Sequence, residues 1–420
     1  MVNKKKIKID ALLDRAKDGS LRIAEISSNL KDKALSRMAS DLTANKNYIL
    51  RENRKDVRKA KMNKQPGSFI DRLSLNDKRI KAMAKSLKEI SALKDPVGSV
   101  ISIRRMPNGL DVRKVRTPIG VIFIIYEARP NVTSDCVGLC LKSSNVSILR
   151  GGSLSLGTNK SIFKVLSSSA EVEGLKGFFF FVDTPEHSTV DYILKKGAGR
   201  VDLVIPRGGE SLIKKVSDIS KIPVLKHYKG VCHIYIDSSA DIKKAVDICV
   251  NAKAQRPAVC NAVETLLVHS GVSAKFLPLL KQAMDKHSVE LRGCDKTRRT
   301  LKGIKKAVER DWYTEYLDLI LSVKVVESLE EAIAHINNYG SAHTDSILSG
   351  NSYNIKKFNE RVQSACVFNN ISTRFSDGGE LGLGAEMGIS TDKLHARGPV
   401  GVEELTTYKW VVSGTGQVRE

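Results

Sequence analysis

The sequence predicts an α/β protein with at least two domains and a small β extension. Three observations carry this prediction. From about residue 120 onward, short apolar segments alternate with helical ones, a pattern typical of parallel, doubly wound sheets covered by helices. The chain has 420 residues, more than one hydrophobic core usually organises. Polar β-segments near residue 100 and at the end of the chain stand outside the alternation.

The first part of the chain is predicted to be helical and to lead into a β-hairpin. Apolar residues recur at three- and four-residue spacing over 7–16, 23–44 and 70–90, the periodicity of amphipathic helices. From Ile101 to Thr117, β-branched residues alternate with Arg and Lys around Asn108-Gly109, a strong hairpin signal. Since a hairpin that is polar on both faces does not fit inside a core, we expect an arm directed toward another subunit.

Four pairs of strand and helix follow the arm. They are Gly120 to Tyr126 with Thr133 to Lys142; Val146 to Leu149 with Thr158 to Leu166; Gly177 to Val182 with Thr189 to Lys195; and Val201 to Ile205 with Glu210 to Val216. In such sheets, ligands bind at the carboxyl ends of the strands. Two of these ends are glycine-rich and precede helices whose N-terminal amides can receive phosphate.

These two strand ends are the candidate cofactor site. Gly-Gly alone is a weak signal, and neither end has the Gly-x-Gly-x-x-Gly spacing of the usual dinucleotide fingerprint. An Arg at each end strengthens the case, because a guanidinium can hold a phosphate bidentately and thereby favours a phosphorylated dinucleotide. The candidate residues are Arg150, Gly151, Gly152, Pro206, Arg207, Gly208 and Gly209.

A second α/β unit is predicted from Val231 to about Val367. Its strand candidates are Cys232 to Ile236, Glu264 to Val268, Ser322 to Val326, Asp345 to Leu348 and Ala365 to Asn369, with helices at Ala240 to Asn251 and Leu329 to Asn337. Thr406 to Val412 then predicts a terminal strand. An exposed β-edge favours pairing, and the arm is the obvious partner.

Cys260 is the strongest candidate for chemistry. It lies in a loop that contains Pro257, between a predicted helix and a predicted strand, and Lys253 and Arg256 precede it. Cysteines attack as thiolates, which neighbouring cations favour. The sequence alone does not decide whether Lys253 acts on this thiol or on substrate. Core or incidental positions suffice for the other cysteines, and no Cys-x-x-Cys pair or His, Asp and Glu spacing proposes a metal.

A large positive net charge is one feature of proteins that bind nucleic acids. The chain carries 69 Lys plus Arg against 46 Asp plus Glu, a formal net charge of +23, but the excess is spread along its length. Aromatic residues make up only 5% and form no stacking platform among the cations, so nucleic-acid binding is a minor alternative. A basic surface also attracts small anionic substrates. The longest apolar runs are too short to span a bilayer, and we expect a cytoplasmic protein.

Several motifs together resemble the gamma-glutamyl phosphate reductase family of the aldehyde dehydrogenase superfamily. They are Gln255-Arg256-Pro257 before Cys260, Tyr126 to Asn131, Ser372 to Gly379, Gly382 to Glu386 and Lys393 to Pro399. The resemblance covers essentially the whole chain. It implies an NADP-binding domain at 1–96 and 116–228, a catalytic domain at 229–375, a β oligomerisation arm at 97–115 and 400–420, and a linking segment at 376–399.

The resemblance also implies a reaction. This is the NADPH-dependent reduction of L-glutamyl 5-phosphate to L-glutamate 5-semialdehyde, with release of phosphate, in proline biosynthesis. Cys260 would form a thioacyl intermediate, and Asn261 and nearby amides would donate to the oxyanion. The candidate substrate-binding residues are Arg129, Arg256, Arg374, His395 and Arg397, and Glu315 is a weaker candidate near the cofactor ribose.

One departure from the superfamily favours reduction. Oxidising members carry a water-activating Glu in a Glu-Leu-Gly-Gly stretch, for which this chain has Lys226-His227-Tyr228-Lys229-Gly230. The superfamily's oxyanion-hole Asn likewise falls near Arg129, whose charge suits a phosphate leaving group. Two alternatives remain at this point: an aldehyde-oxidising dehydrogenase and a basic binding protein without catalysis. We expect a homo-oligomer and, because 420 residues leave no room for a fused kinase, a transient complex with a separate glutamate 5-kinase.

Overall fold

The computed structural model describes residues 2–226 and 229–419, and the chain divides into two compact units. Unit 1 comprises Met1–Lys226, Gly382–Gly388 and Val400–Glu420, and unit 2 comprises His227–Leu381 and Ile389–Pro399. The division after Lys226 lies near the boundary predicted after residue 228. The assignment of cofactor binding to one part and chemistry to the other stays a prediction.

The helices and strands have the following bounds. The helices are α1 (Val2–Ile23), α2 (Ser28–Ala44), α3 (Lys46–Met62), α4 (Gly67–Leu73), α5 (Asp77–Ala92), α6 (Asn131–Lys142), α7 (Leu156–Val172), α8 (His187–Lys196), α9 (Glu210–Ile219), α10 (Ile242–Ala254), α11 (Ser270–Asp285), α12 (Asp295–Thr300), α13 (Glu309–Trp312), α14 (Leu329–Tyr339) and α15 (Ser352–Arg361). The strands are β1 (Val100–Arg105), β2 (Asp111–Pro118), β3 (Val121–Tyr126), β4 (Val146–Gly151), β5 (Phe179–Phe181), β6 (Leu203–Arg207), β7 (Cys232–Ile236), β8 (Val263–His269), β9 (Glu290–Gly293), β10 (Lys305–Lys306), β11 (Ile320–Val326), β12 (Thr344–Leu348), β13 (Cys366–Asn369), β14 (Ile389–Ser390), β15 (Gly398–Pro399) and β16 (Thr406–Ser413).

Unit 1 is built on a parallel sheet in the order β5-β4-β3-β6. The central strands β3 and β4 are buried along their whole length, which explains why they read as unbroken apolar runs. The strand order reverses at β3, so the switch point lies at the carboxyl ends of β3 and β6. Among the N-terminal helices, α2 packs against α5 and α7, and α3 packs against α4 and α7, while α1 lies against β3, β4 and β5. The helical character predicted for the first part of the chain extends over α3, whose charged residues form a solvated helix face.

The predicted arm is a three-stranded antiparallel sheet in the order β1-β2-β16. The terminal strand pairs with β2 from Thr406 opposite Pro118 to Ser413 opposite Asp111, as expected from its exposed edge. The hairpin turns at Gly109, whose φ of +84° is a left-handed conformation that glycine adopts without steric cost. The role of this sheet in oligomerisation stays a prediction.

Unit 2 is built on a parallel sheet in the order β10-β9-β11-β8-β7-β12-β13. All five strands predicted for this unit are present. The prediction missed β9 and β10 at one edge, because they are short and carry charged residues. Apolar clusters cover both faces of the sheet, with Leu266 in one cluster and Leu267 in the other.

Within the described part of the chain, no helix combines the length and apolar character needed to cross a membrane.

Candidate active site

Cys260 lies at the amino edge of the sheet of unit 2. The loop 255–262 that carries it joins α10 to β8, and its thiol is free and partly buried. The neighbouring strand β7 starts at Cys232, and β12 starts at Thr344 on the far side of β7. Because parallel strands start at the same edge of a sheet, the segments that precede β7 and β12 lie near the cysteine loop.

The residues at and just before the start of β7 contact the backbone of Cys260. The thiol of Cys232 donates to the Cys260 carbonyl oxygen at 3.2 Å. Gly230 lies so close that a Cβ on it would overlap the same carbonyl group. The Gly230 N–H donates to Glu315 Oε1 at 2.7 Å. Glu315, predicted to lie near the ribose, therefore contacts the segment behind the cysteine; its cofactor role stays a prediction.

Asn261 is 4% exposed and joins the cysteine loop to the turn at 372–376. Its Nδ2 donates to the carbonyl oxygens of Ser376 at 2.7 Å and Arg374 at 3.4 Å. Its Oδ1 accepts from the Arg374 guanidinium, whose Nε donates to Gln255 Oε1 at 2.9 Å. The Asn261 amide thus holds the turn against the loop, and its predicted role as oxyanion donor stays a prediction.

Two arginines place positive charge beside this loop. Arg256 is exposed, and Arg374 is half-buried. Burial, followed by the charge of Arg256, lowers the pKa of Arg374, because two nearby guanidinium groups repel each other. An anion placed between them would relieve that repulsion. The structure therefore brings Arg374, from the turn at 372–376, next to Arg256 and Asn261 of the Cys260 loop.

The remaining predicted substrate residues lie elsewhere. His395 and Arg397 are exposed residues of the segment 389–399 of unit 2, where the Arg397 guanidinium donates to the carbonyl oxygen of Gln363. Arg129 belongs to unit 1, in the connection between β3 and α6. Their substrate-binding roles stay predictions.

The side chain of Lys253 is shielded from solvent. It is 0% exposed, and its Nζ lies 2.5 Å from Oε2 of Glu264, which is also 0% exposed. Glu264 is a functional residue that was not predicted, because a single charged residue at the start of an apolar strand carries no sequence signal. Gly230 was not predicted either, since no local signal marks a glycine that contacts a distant backbone.

Unit 1 contains a cavity of about 230 Å³ at the carboxyl edge of its sheet. Of the predicted cofactor residues, Arg150 and Gly152 line it. Gly151 and Gly208 pack against neighbouring side chains, where a Cβ would collide with Asn159 and Glu127 respectively. Pro206, Arg207 and Gly209 belong to the adjoining end of β6 and its turn but do not line the cavity, and the Arg207 guanidinium lies against Gly388.

The lining of the cavity suits an anionic group beside an apolar one. Arg150 is 5% exposed, and its Nη2 donates to the Pro185 carbonyl oxygen at 3.0 Å. Its Nε is buried and has no hydrogen-bond partner among the described residues, and burial lowers the pKa of this guanidinium. A buried cation without a carboxylate partner calls for an anion. The opposite walls, from α8 and α9, present the apolar side chains of Val190, Leu194, Leu212 and Val216, which suit a flat aromatic ring, together with His187, Asp191 and Lys215.

Two further predictions concern the water-activating Glu and a metal site, neither of which is expected from the sequence. His227 and Tyr228, in the stretch predicted to replace the water-activating Glu, lie outside the described residues. Over 2–226 and 229–419, no group of three His, Cys, Asp or Glu side chains is arranged to hold a metal ion.

The fold and the cysteine loop define a class of protein. The family model described as "Aldehyde dehydrogenase family" matches residues 2–299. The chain therefore belongs to the aldehyde dehydrogenase family, and its α/β fold with parallel sheets is the fold of that family.

Comparison with individual relatives indicates which group within this family the chain resembles. The gamma-glutamyl phosphate reductase of Nautilia profundicola is 53% identical over 97% of this chain and 99% of its own length. The enzyme of the same name from Caldanaerobacter subterraneus subsp. tengcongensis is 49% identical over 99% of this chain and 100% of its own length. The crystal structure of gamma-glutamyl phosphate reductase from Thermotoga maritima superposes with a TM-score of 0.95 at 45% identity and covers 98% of this chain and 100% of that one. Within the aldehyde dehydrogenase family, the chain groups with the gamma-glutamyl phosphate reductases, and the predicted resemblance is confirmed.

Proposed function

We propose that this protein reduces L-glutamyl 5-phosphate to L-glutamate 5-semialdehyde with NADPH, releasing phosphate, in proline biosynthesis from glutamate. The observation that carries the proposal is the Cys260 loop, flanked by Arg256 and Arg374, in a chain about half identical to gamma-glutamyl phosphate reductases along its whole length. A nucleophilic thiol between two cations suits an electrophile that bears an anionic leaving group.

The chain's own residues account for the acylation step. The Cys260 thiolate attacks the acyl carbon, a C–S bond forms, and the C–O bond to phosphate breaks. The departing phosphate carries the electron pair, and the guanidinium groups of Arg256 and Arg374 offset its negative charge. Backbone amides of the loop stabilise the oxyanion that develops in this step. The product is a thioacyl enzyme.

The reduction step needs a nicotinamide cofactor, and the cavity in unit 1 would hold its adenosine part. When bound, NADPH would supply a hydride to the thioester; the products would be the aldehyde and the regenerated Cys260 thiolate. Arg150 would bind the phosphorylated ribose, and the apolar side chains that α8 and α9 present would contact the adenine. The buried, incompletely paired guanidinium supports NADP over NAD, since an unphosphorylated ribose leaves it without an anion.

We further propose the cytoplasm as the location and a homo-oligomer as the working form. The exposed aromatic face of β16, including Tyr408 and Trp410, supports an assembly through the arm. A transient complex with a separate glutamate 5-kinase would protect the labile acyl phosphate.

The reverse reaction tests the proposal. The purified protein is given glutamate 5-semialdehyde and NADP⁺, with and without inorganic phosphate, beside the Cys260→Ser variant. We expect NADP⁺ reduction that requires both phosphate and Cys260. Reduction without phosphate would mean that water resolves the thioester, and the aldehyde-oxidising alternative would replace the proposal.

A further inference from the structure

We propose that the buried ion pair of Lys253 and Glu264 positions the Cys260 loop for reaction, an inference that rests on the proposed role of Cys260 as nucleophile. Lys253 lies in the last turn of α10, and Glu264 is the second residue of β8. The pair therefore closes the base of the loop 255–262. Both side chains are 0% exposed, so neither touches substrate, and each acts through the loop that it holds.

The pair also reaches the backbone behind the cysteine. The second carboxylate oxygen of Glu264, Oε1, accepts the N–H of Leu317 at 3.3 Å. In the same segment, Glu315 accepts the N–H of Gly230 at 2.7 Å, and Gly230 packs directly on the Cys260 carbonyl. The segment 315–317 thus connects Glu264 to the support of Cys260. One carboxylate is bonded both to the helix that enters the loop and to the segment beneath it.

The backbone of the segment 315–317 has a conformation that depends on its contacts with neighbouring residues. Leu317 has a φ of +53°, a left-handed conformation that costs free energy for any residue other than glycine. Such a conformation persists only where neighbouring contacts over-determine it. The hydrogen bond from Leu317 N–H to Glu264 is one of those contacts.

Stability alone does not account for the pair. Desolvation of two buried charges offsets much of their attraction, and apolar replacements of similar volume are often neutral or stabilising. Burial raises the pKa of Glu264 to about 7 and lowers the pKa of Lys253, which shows the cost of keeping these charges out of water. What an apolar pair would lack is direction, since a charge-assisted hydrogen bond fixes one alignment of helix and strand.

The test uses the double variant Lys253→Met/Glu264→Leu, which removes both charges and leaves none unpaired. The first readout is the rate at which iodoacetamide alkylates Cys260, followed by peptide mass spectrometry, with partly buried Cys294 as internal reference. The second readout is the split between kcat and KM in the phosphate-dependent assay. The matched control is Lys31→Met/Asp95→Asn, which neutralises a pair in unit 1 in which Lys31 is 1% exposed.

We expect the double variant to fold with a thermal midpoint near that of the wild type. Alkylation of Cys260 and kcat should each fall at least tenfold, while KM stays within twofold and the control pair changes neither rate. Lys253→Arg, which keeps the charge pair, should retain most of the activity. Alkylation and turnover at wild-type rates in the double variant would overturn the proposal.

Two further outcomes remain decisive. If the double variant does not fold, Glu264→Gln makes the same comparison with an unchanged side-chain shape, and wild-type alkylation of Cys260 in it overturns the proposal. If the wild type shows no phosphate-dependent turnover, the proposed function fails. The alkylation rates still report on the loop in that case, so the two failures are distinguishable.

Discussion

The contact between Gly230 and Cys260 makes the sharpest quantitative prediction. In Gly230→Ala, the new Cβ would lie 2.5 Å from the Cys260 carbonyl carbon and 2.8 Å from its Cα, where ordinary contacts begin at 3.4 Å. Backbone lies on both sides, so no flexible side chain can yield. The Cys260 carbonyl oxygen lies closer to the new Cβ than either carbon does, so the cysteine backbone must move by at least about 0.9 Å, the shift that takes the carbonyl carbon from 2.5 to 3.4 Å. Since a misplacement of about 1 Å at a reacting group costs roughly 10²-fold in rate, we expect kcat to fall about a hundredfold.

The assay is phosphate-dependent NADP⁺ reduction with glutamate 5-semialdehyde, together with thermal unfolding to confirm that the variant folds. The control is Gly67→Ala at the start of α4, where a Cβ meets nothing within 4 Å and the rate should not change. A folded Gly230→Ala protein with kcat within threefold of the wild type would refute the reasoning, because it would mean that the loop tolerates the displacement.

Three other perturbations test separate parts of the account. Arg150→Met removes the buried cation of the cofactor cavity, so KM for NADPH should rise at least tenfold while thermal stability is kept; an unchanged KM in steady-state kinetics would contradict the assignment. Burial, with the charges of His233 and Lys324, lowers the pKa of His335 to about 2, so the folded state resists protonation and loses stability as the pH falls below about 6.5. Between pH 6.5 and 5, the free energy of unfolding of the wild type should therefore fall by up to about 1.4 kcal/mol per pH unit more than that of His335→Phe, as measured by urea titration. Equal pH dependence of the unfolding free energy in variant and wild type would count against this. Deletion of residues 406–420 removes β16 and should reduce the oligomer to a smaller species by light scattering, and an unchanged mass would exclude the arm as the interface.

The elements that the sequence predicts well are those with a strong local pattern. Buried parallel strands such as β3 read as apolar runs, and Pro257 beside Cys260 marks a loop between helix and strand. The short charged edge strands β9 and β10 carry no such pattern, and their place depends on pairing with β11 and with each other.

The site is less predictable because distant residues meet there. Arg374 was proposed from a motif, but its bond to Asn261 depends on how the turn after β13 folds back on the cysteine loop. The contact of Gly230 with Cys260 depends on the register between β7 and β8, which shifts at Cys232. The role of a single residue such as Glu264 can be inferred only once the structure shows its partner, Lys253, at the other end of the loop.

The central claim, a thioacyl enzyme at Cys260 that phosphate resolves, is tested most directly by the mass of the Cys260 peptide. The protein is incubated with glutamate 5-semialdehyde and NADP⁺ without phosphate and digested under conditions that preserve thioesters. We predict a glutamyl thioester on Cys260 that disappears when phosphate is added. An unmodified Cys260 peptide during continuing NADPH formation would contradict the account.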